Sequence, residues 1–226
     1  MKRRLNILCV IVMLVLSYSV LEAGYYLFLG VKLGAEAGIE IAKNNKPDSS
    51  EYREMVNLRV IGLLPHGLST KGVRLLSDSV YNEKSGRYVP ASYSSMVISV
   101  ETTHALAWKR TVNVLLVFLH LGLSVWGMVL FIRLIISINK SDIFNWRNVR
   151  RLRRLGVVLI LGFCSVLAGA YMDLVSVREV FSLRGYDLSL SEMANVTTLV
   201  LGLCALIVGE VFAIGLKMKE EQDLTI

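Results

Sequence analysis

The sequence predicts an all-α integral membrane protein: a four-transmembrane-helix bundle with a mixed extracytoplasmic loop between helices 1 and 2. Three observations predict it. Mean hydropathy is +0.55 and 54% of the 226 residues are apolar, above the ~45–50% of a soluble domain. The excess is gathered in four runs, each long enough for the ~20 residues that cross a bilayer as a helix. Basic clusters adjoin the ends of these runs that inside–outside alternation places on one side of the membrane.

The first run follows Lys2, Arg3 and Arg4. That start also suits a signal peptide, but the apolar stretch is too long for one and continues past Glu22 through GYYLFLG without a convincing cleavage site. It reads as an uncleaved span over about residues 5–30. Residues 31–108 are the long polar region, where Gly34–Lys43 can extend the first helix. Within it SVYNEKSGRYV has a turn between two β-prone pieces, and SYSSMVISVE alternates as a strand does. The second span covers about 111–138, with Trp108 as an interfacial anchor.

A cytoplasmic link, 139–154, leads to the third span at about 155–174. Asn145 can cap that helix by accepting a hydrogen bond from a free N–H of the first turn. A short outer loop, roughly 175–194, precedes the fourth span at about 195–216, and 217–226 form a cytoplasmic tail. All of this reads as one membrane domain. Both termini are expected in the cytoplasm, because Lys2–Arg4, the arginine-rich link and Lys217/Lys219 then share the inner side.

Net charge is +7. The clustered basic residues flank apolar runs, so the bilayer with its anionic headgroups is the expected partner and direct nucleic-acid contact is not. Cys9, Cys164 and Cys204 lie in separate runs without ligand spacing and read as small apolar packing groups. His66 and His104 show no ligand pattern. No Gly-rich phosphate loop, nucleophile–base pair or metal constellation is present, so no cofactor, metal or enzymatic activity is expected.

Depth sorts the charged residues inside the spans. Glu22 and Asp173 each lie about 27 Å from the inner end of their run, at 1.5 Å per residue, and read as hydrated interfacial carboxylates. Arg133 sits about 7 Å, and Glu210 about 10 Å, inside the inner ends of spans two and four. A charge there costs about 2.5–3.5 kcal/mol on insertion scales. Arg133 and Glu210 are therefore expected to pair, or Glu210 to take an arginine of the Arg147–Arg154 set. A clamp on helix register and a proton or ion relay are both open as roles. His120, near the middle of the second span, reads as a neutral hydrogen-bonding group between helices.

Arg147, Arg150, Arg151 and Arg154 recur at i, i+3, i+4 and i+7 and make one ridge, beside Arg153. Topology determination with headgroup binding explains such a ridge. A docking face for a cytoplasmic partner explains it too, with Glu220, Glu221 and Asp223 of the tail as a counter-charge or second contact.

The stretch FNWRNVRRLRRLG and the ending GEVFAIGLKMKEEQDLTI resemble the bacterial membrane family catalogued as domain of unknown function 2975. Phe144, Asn148, Arg151, Leu152, Arg153, Arg154 and Gly156 match its inner-link motif, with Ile143 in place of the usual proline. Glu210, Phe212, Gly215, Glu220, Glu221, Asp223, Leu224 and Thr225 match its C-terminal motif, with Met218 where leucine is common. The resemblance covers the three C-terminal spans, and the first by pattern alone. It implies four spans in a bacterial cytoplasmic membrane and no established enzymatic activity. It also implies a gene setting like that of membrane partners of small helix-turn-helix transcription regulators.

Two functional readings follow. In the first, a non-enzymatic membrane protein restrains or tethers a small cytoplasmic DNA-binding regulator through Arg147, Arg150, Arg151, Arg153 and Arg154 together with Glu220, Glu221 and Asp223. In the second, a small transporter or channel component uses His120, Arg133 and Glu210 as a polar path. Four spans are few for that task, so it requires a homo-oligomer, and no inverted repeat or paired Gly/Pro break supports it.

Overall fold

The computed structural model describes residues 2–44, 57–65, 78–100, 107–140, 145–190 and 195–224. The protein is mostly helical, and four of its helices are long and apolar enough to cross a membrane. In chain order the elements are α1 (Lys2–Asn44), β1 (Leu58–Pro65), β2 (Asp78–Asn82), β3 (Arg87–Ala91), β4 (Ser95–Ser99), α2 (Ala107–Asn139), α3 (Trp146–Arg178), β5 (Tyr186–Ser189) and α4 (Val196–Asp223). The helices are longer than the apolar runs alone suggest. α1 continues through Gly34–Lys43, and α3 runs unbroken from the arginine-rich stretch into the apolar one. The chain divides into two compact units, Met1–Pro47 with Phe118–Cys164 and Val196–Ile226, and Asp48–Val117 with Ser165–Asn195.

Among the described residues the elements of the first unit are all helices. Leu123 and Leu130 of α2, seven residues apart and so on one helix face, pack with Leu155 and Val158 of α3. Val149 of α3 packs with Ala213 and Leu216 of α4. Between these clusters α3 and α4 meet backbone to backbone. A Cβ on Gly156 would stand 2.7 Å from Leu206 Cγ and 2.8 Å from the Gly202 carbonyl oxygen, and one on Gly202 would stand 2.9 Å from Ile160 Cγ1. Lipid tails are as apolar as leucine, so helices in a bilayer associate through close packing, and small residues permit it. Among the described side chains of α1 only Cys9 is buried.

The second unit is centred on a three-stranded antiparallel sheet of order β4-β1-β5. β1 pairs with β4 from Leu58↔Ser99 to Gly62↔Ser95, and with β5 from Gly62↔Ser189 to Pro65↔Tyr186. Ile61 and Leu63 of β1 and Tyr186 and Leu188 of β5 alternate along their strands and point to one face. There they bury against Leu174 and Val177 of α3. The strand expected in SYSSMVISVE is β4. β1 and β5 were not legible as strands. Gly62 and Pro65 interrupt the pattern of the first, the second has four residues, and both are held by pairing partners distant in sequence.

The turn expected within SVYNEKSGRYV joins β2 to β3. The Asn82 side-chain oxygen accepts the Lys84 N–H at 3.0 Å, which shapes the turn locally. Gly86 closes it at φ +61°, a conformation that costs glycine little. Tyr81 and Tyr88 face each other across the strands with ring centroids 5.4 Å apart, edge to face.

The α3–α4 contact makes a sharp expectation. Gly156→Ala should lower stability by about 1–3 kcal/mol through overpacking. Gly122→Ala, where nothing lies within 4 Å of the new Cβ, should be neutral or slightly stabilising. Thermal unfolding of both variants in one detergent decides the matter, and equal melting temperatures would refute the contact.

Candidate functional site

The arginine-rich start of α3 is positioned by its own cap. The Asn145 side-chain oxygen accepts the Arg147 N–H at 3.0 Å, as expected of an N-cap. The Asn145 carbonyl accepts the N–H groups of Asn148 and Val149 at 2.9 and 3.3 Å, closing the first turn. Helical rotation then sorts the side chains. Asn148 and Val149 are buried, Arg151 and Arg153 are half-buried, and Arg147, Arg150 and Arg154 are exposed.

Two arginines are committed to neighbouring helices. Arg151 donates to the Asn148 side-chain oxygen at 3.1 Å and to the backbone carbonyl of Arg133 at 3.3 Å, tying α3 to α2. The Arg153 guanidinium pairs with the Glu210 carboxylate at 2.8 Å, tying α3 to α4. Gly209 makes this pair accessible, because a Cβ there would lie 3.3 Å from Arg153 Cγ. The Arg153 Nε is enclosed and has no hydrogen-bond partner among the described residues, so the contact is single-pronged and lacks the full geometry of a bidentate fork.

Of the two arrangements expected for Glu210, the structure has the pairing with the arginine set. Arg133 does not meet it. Its side chain is exposed and its carbonyl serves Arg151. The reason is geometric: Arg153 lies across Gly209, next to Glu210 on α4. His120 is half-buried, with Nε2 3.5 Å from Ser124 Oγ one turn along α2 and its ring beside Gly162 of α3. Arg133, Glu210 and His120 thus have separate neighbours.

The tail is joined to the same site by a contact that charge patterning did not reveal. Trp146 Nε1–H donates to the Glu220 carboxylate at 2.7 Å, linking the first residue of α3 to the last turn of α4. Glu221 and Asp223 follow on the exposed end of α4. The signal in the sequence was the tryptophan beside the cap, read there only as part of the link. In the second unit, Asp173 is more than a hydrated carboxylate. It lies 3.5 Å from Arg59, with both side chains 29% exposed.

Among the described residues no three His, Cys, Asp or Glu side chains gather as a metal site. His66, His104, Phe144 and Thr225 lie outside the described residues.

Arg153→Ala and Glu210→Ala, alone and combined, should give a coupling energy of about 0.2–1 kcal/mol, the range for exposed pairs. Arg133→Ala should show no coupling with Glu210→Ala. Denaturation of the four proteins in detergent measures this, and additivity of Arg153→Ala with Glu210→Ala would contradict the pairing.

A family model described as "Protein of unknown function (DUF2975)" matches residues 76–226. That segment holds α2, α3, α4 and every residue of the charged site. No curated protein and no solved structure matches the chain. More than half of the chain, including both charged motifs, is covered by this one family model, and the protein belongs to the DUF2975 family of proteins of unknown function.

Proposed function

We propose that this is a non-enzymatic protein of the bacterial cytoplasmic membrane, with both termini in the cytoplasm. Its exposed arginine ridge and charged C-terminal segment restrain or tether a small cytoplasmic helix-turn-helix transcription regulator. One observation carries the reading. Arg151 and Arg153 are spent on contacts to α2 and α4, whereas Arg147, Arg150 and Arg154 face outward at i, i+3 and i+7. An outward stripe of guanidinium groups suits carboxylates on a partner, since the planar fork matches them bidentately. The Trp146–Glu220 hydrogen bond sets the C-terminal segment beside that stripe, so both charged motifs form one surface.

The orientation is supported by the basic residues at the ends of the apolar helices, which the positive-inside rule places in the cytoplasm. A transport reading has less support. Its polar path needs Arg133, Glu210 and His120 together, and Glu210 is taken up by Arg153.

Affinity purification from native membranes tests the proposal. The Arg147→Ala/Arg150→Ala/Arg154→Ala variant should insert and fold as the parent does but lose a co-purifying soluble DNA-binding protein. Arg151→Ala and Arg153→Ala should instead lower stability. Undiminished co-purification with the triple variant would sink the reading.

A further inference from the structure

A second feature of the first unit lies apart from the arginine ridge. Between α1 and α2 runs a groove of about 260 Å³, larger than the ~150 Å³ apolar cavity that takes up benzene. Cys9, Met13 and Ser17 line it from α1, and Ile135, Ile136 and Asn139 from α2. The α1 residues recur every fourth position, so the groove follows the helix over about 12 Å, at 1.5 Å per residue. Ser17 donates its hydroxyl proton to the Met13 carbonyl at 2.8 Å, within its own helix. The lining is therefore long and chiefly apolar.

Two cations flank the groove without lining it. Arg133 in α2 and Lys140 just past its end stand at i−3 and i+4 from Ile136, and so neighbour the edge of the lining that Ile136 forms. Both Arg133 and Lys140 are exposed. The carboxylate at matching depth, Glu210, is held by Arg153, and among the described residues the Arg133 side chain forms no ion pair. A cation within an apolar span is costly unless an opposite charge meets it.

We propose that this groove binds one anionic phospholipid, with an acyl chain along Met13 and Ile136 and its phosphate held by Arg133 and Lys140. Hydrocarbon matches the lining, and an extended peptide does not, because its N–H and C=O groups would find too few partners there. Two cations that form no ion pair among the described residues favour a headgroup of net negative charge over a zwitterionic one. The proposal does not depend on the regulator reading.

The test is native mass spectrometry of the full chain in mild detergent, incubated with phosphatidylglycerol, with phosphatidylcholine, or with glycerol phosphate alone. Wild-type protein should retain one phosphatidylglycerol in preference to phosphatidylcholine, and glycerol phosphate should not displace it. Arg133→Gln/Lys140→Gln should lower retention about tenfold, equivalent to ~1.4 kcal/mol. Ile136→Trp, which fills the groove and keeps both cations, should lower it comparably, with helix content checked by circular dichroism. Should Arg133→Gln misfold, Arg133→Lys keeps the charge and should retain the lipid. Equal retention of the two phospholipids, displacement by glycerol phosphate, or wild-type retention in Ile136→Trp would overturn the site. So would an equal loss in Arg147→Gln/Arg150→Gln, which would mark general headgroup attraction.

Discussion

The charged end of α3 and α4 depends on the backbones of Gly156 and Gly202 touching. From that contact the partners step away in antiparallel order. Gly156 meets Leu206, Arg153 meets Gly209, Val149 meets Ala213, and Trp146 meets Glu220. The steps are three, four and three residues on α3 and three, four and seven on α4, the spacings of one helix face. A side chain at the crossing would move the axes apart, and the polar contacts below it would lose their reach. Packing at two glycines therefore places groups a long way down the helices.

The arginines of this stretch do different work although their chemistry is identical. Helical rotation turns Arg151 and Arg153 toward neighbouring helices and leaves Arg147, Arg150 and Arg154 outward. The Arg153–Glu210 pair cancels a charge that would be costly inside an apolar helix. Arg151 bonds the buried Asn148 side chain as well as the Arg133 carbonyl of α2, and an unmet polar group there would cost about 1–3 kcal/mol. Inward arginines hold the helices in register. Outward ones keep their donors for something else.

The second unit rests on a different principle. Its core joins residues of β1 to residues of α3 and β5 that are more than a hundred positions away in sequence. Arg59 and Asp173 bridge a like separation, and the Tyr93 N–H donates to the Tyr186 hydroxyl at 3.3 Å across 93 positions. Arg178, in the last turn of α3, donates to the Leu188 carbonyl of β5 at 2.9 Å. Apart from that last one, these contacts are far from local, so no window of sequence displays them.

Much of the protein was legible without coordinates because its signals are local. The four apolar helices follow from the length of the runs, the Asn145 cap from its place before an arginine-rich helix, and the β2–β3 hairpin from its turn residues. Both family motifs were readable as strings. Tertiary structure alone decided which arginine Glu210 takes, that Glu220 belongs to Trp146, and that Asp173 has Arg59 for a partner. It also decided that the short segment after α3 supplies a strand to the sheet of the long loop. Composition and period specify where a helix lies and which face is apolar. The choice of partner depends on how closely two backbones approach, and here that distance is set by glycines whose importance appears only when the helices are packed.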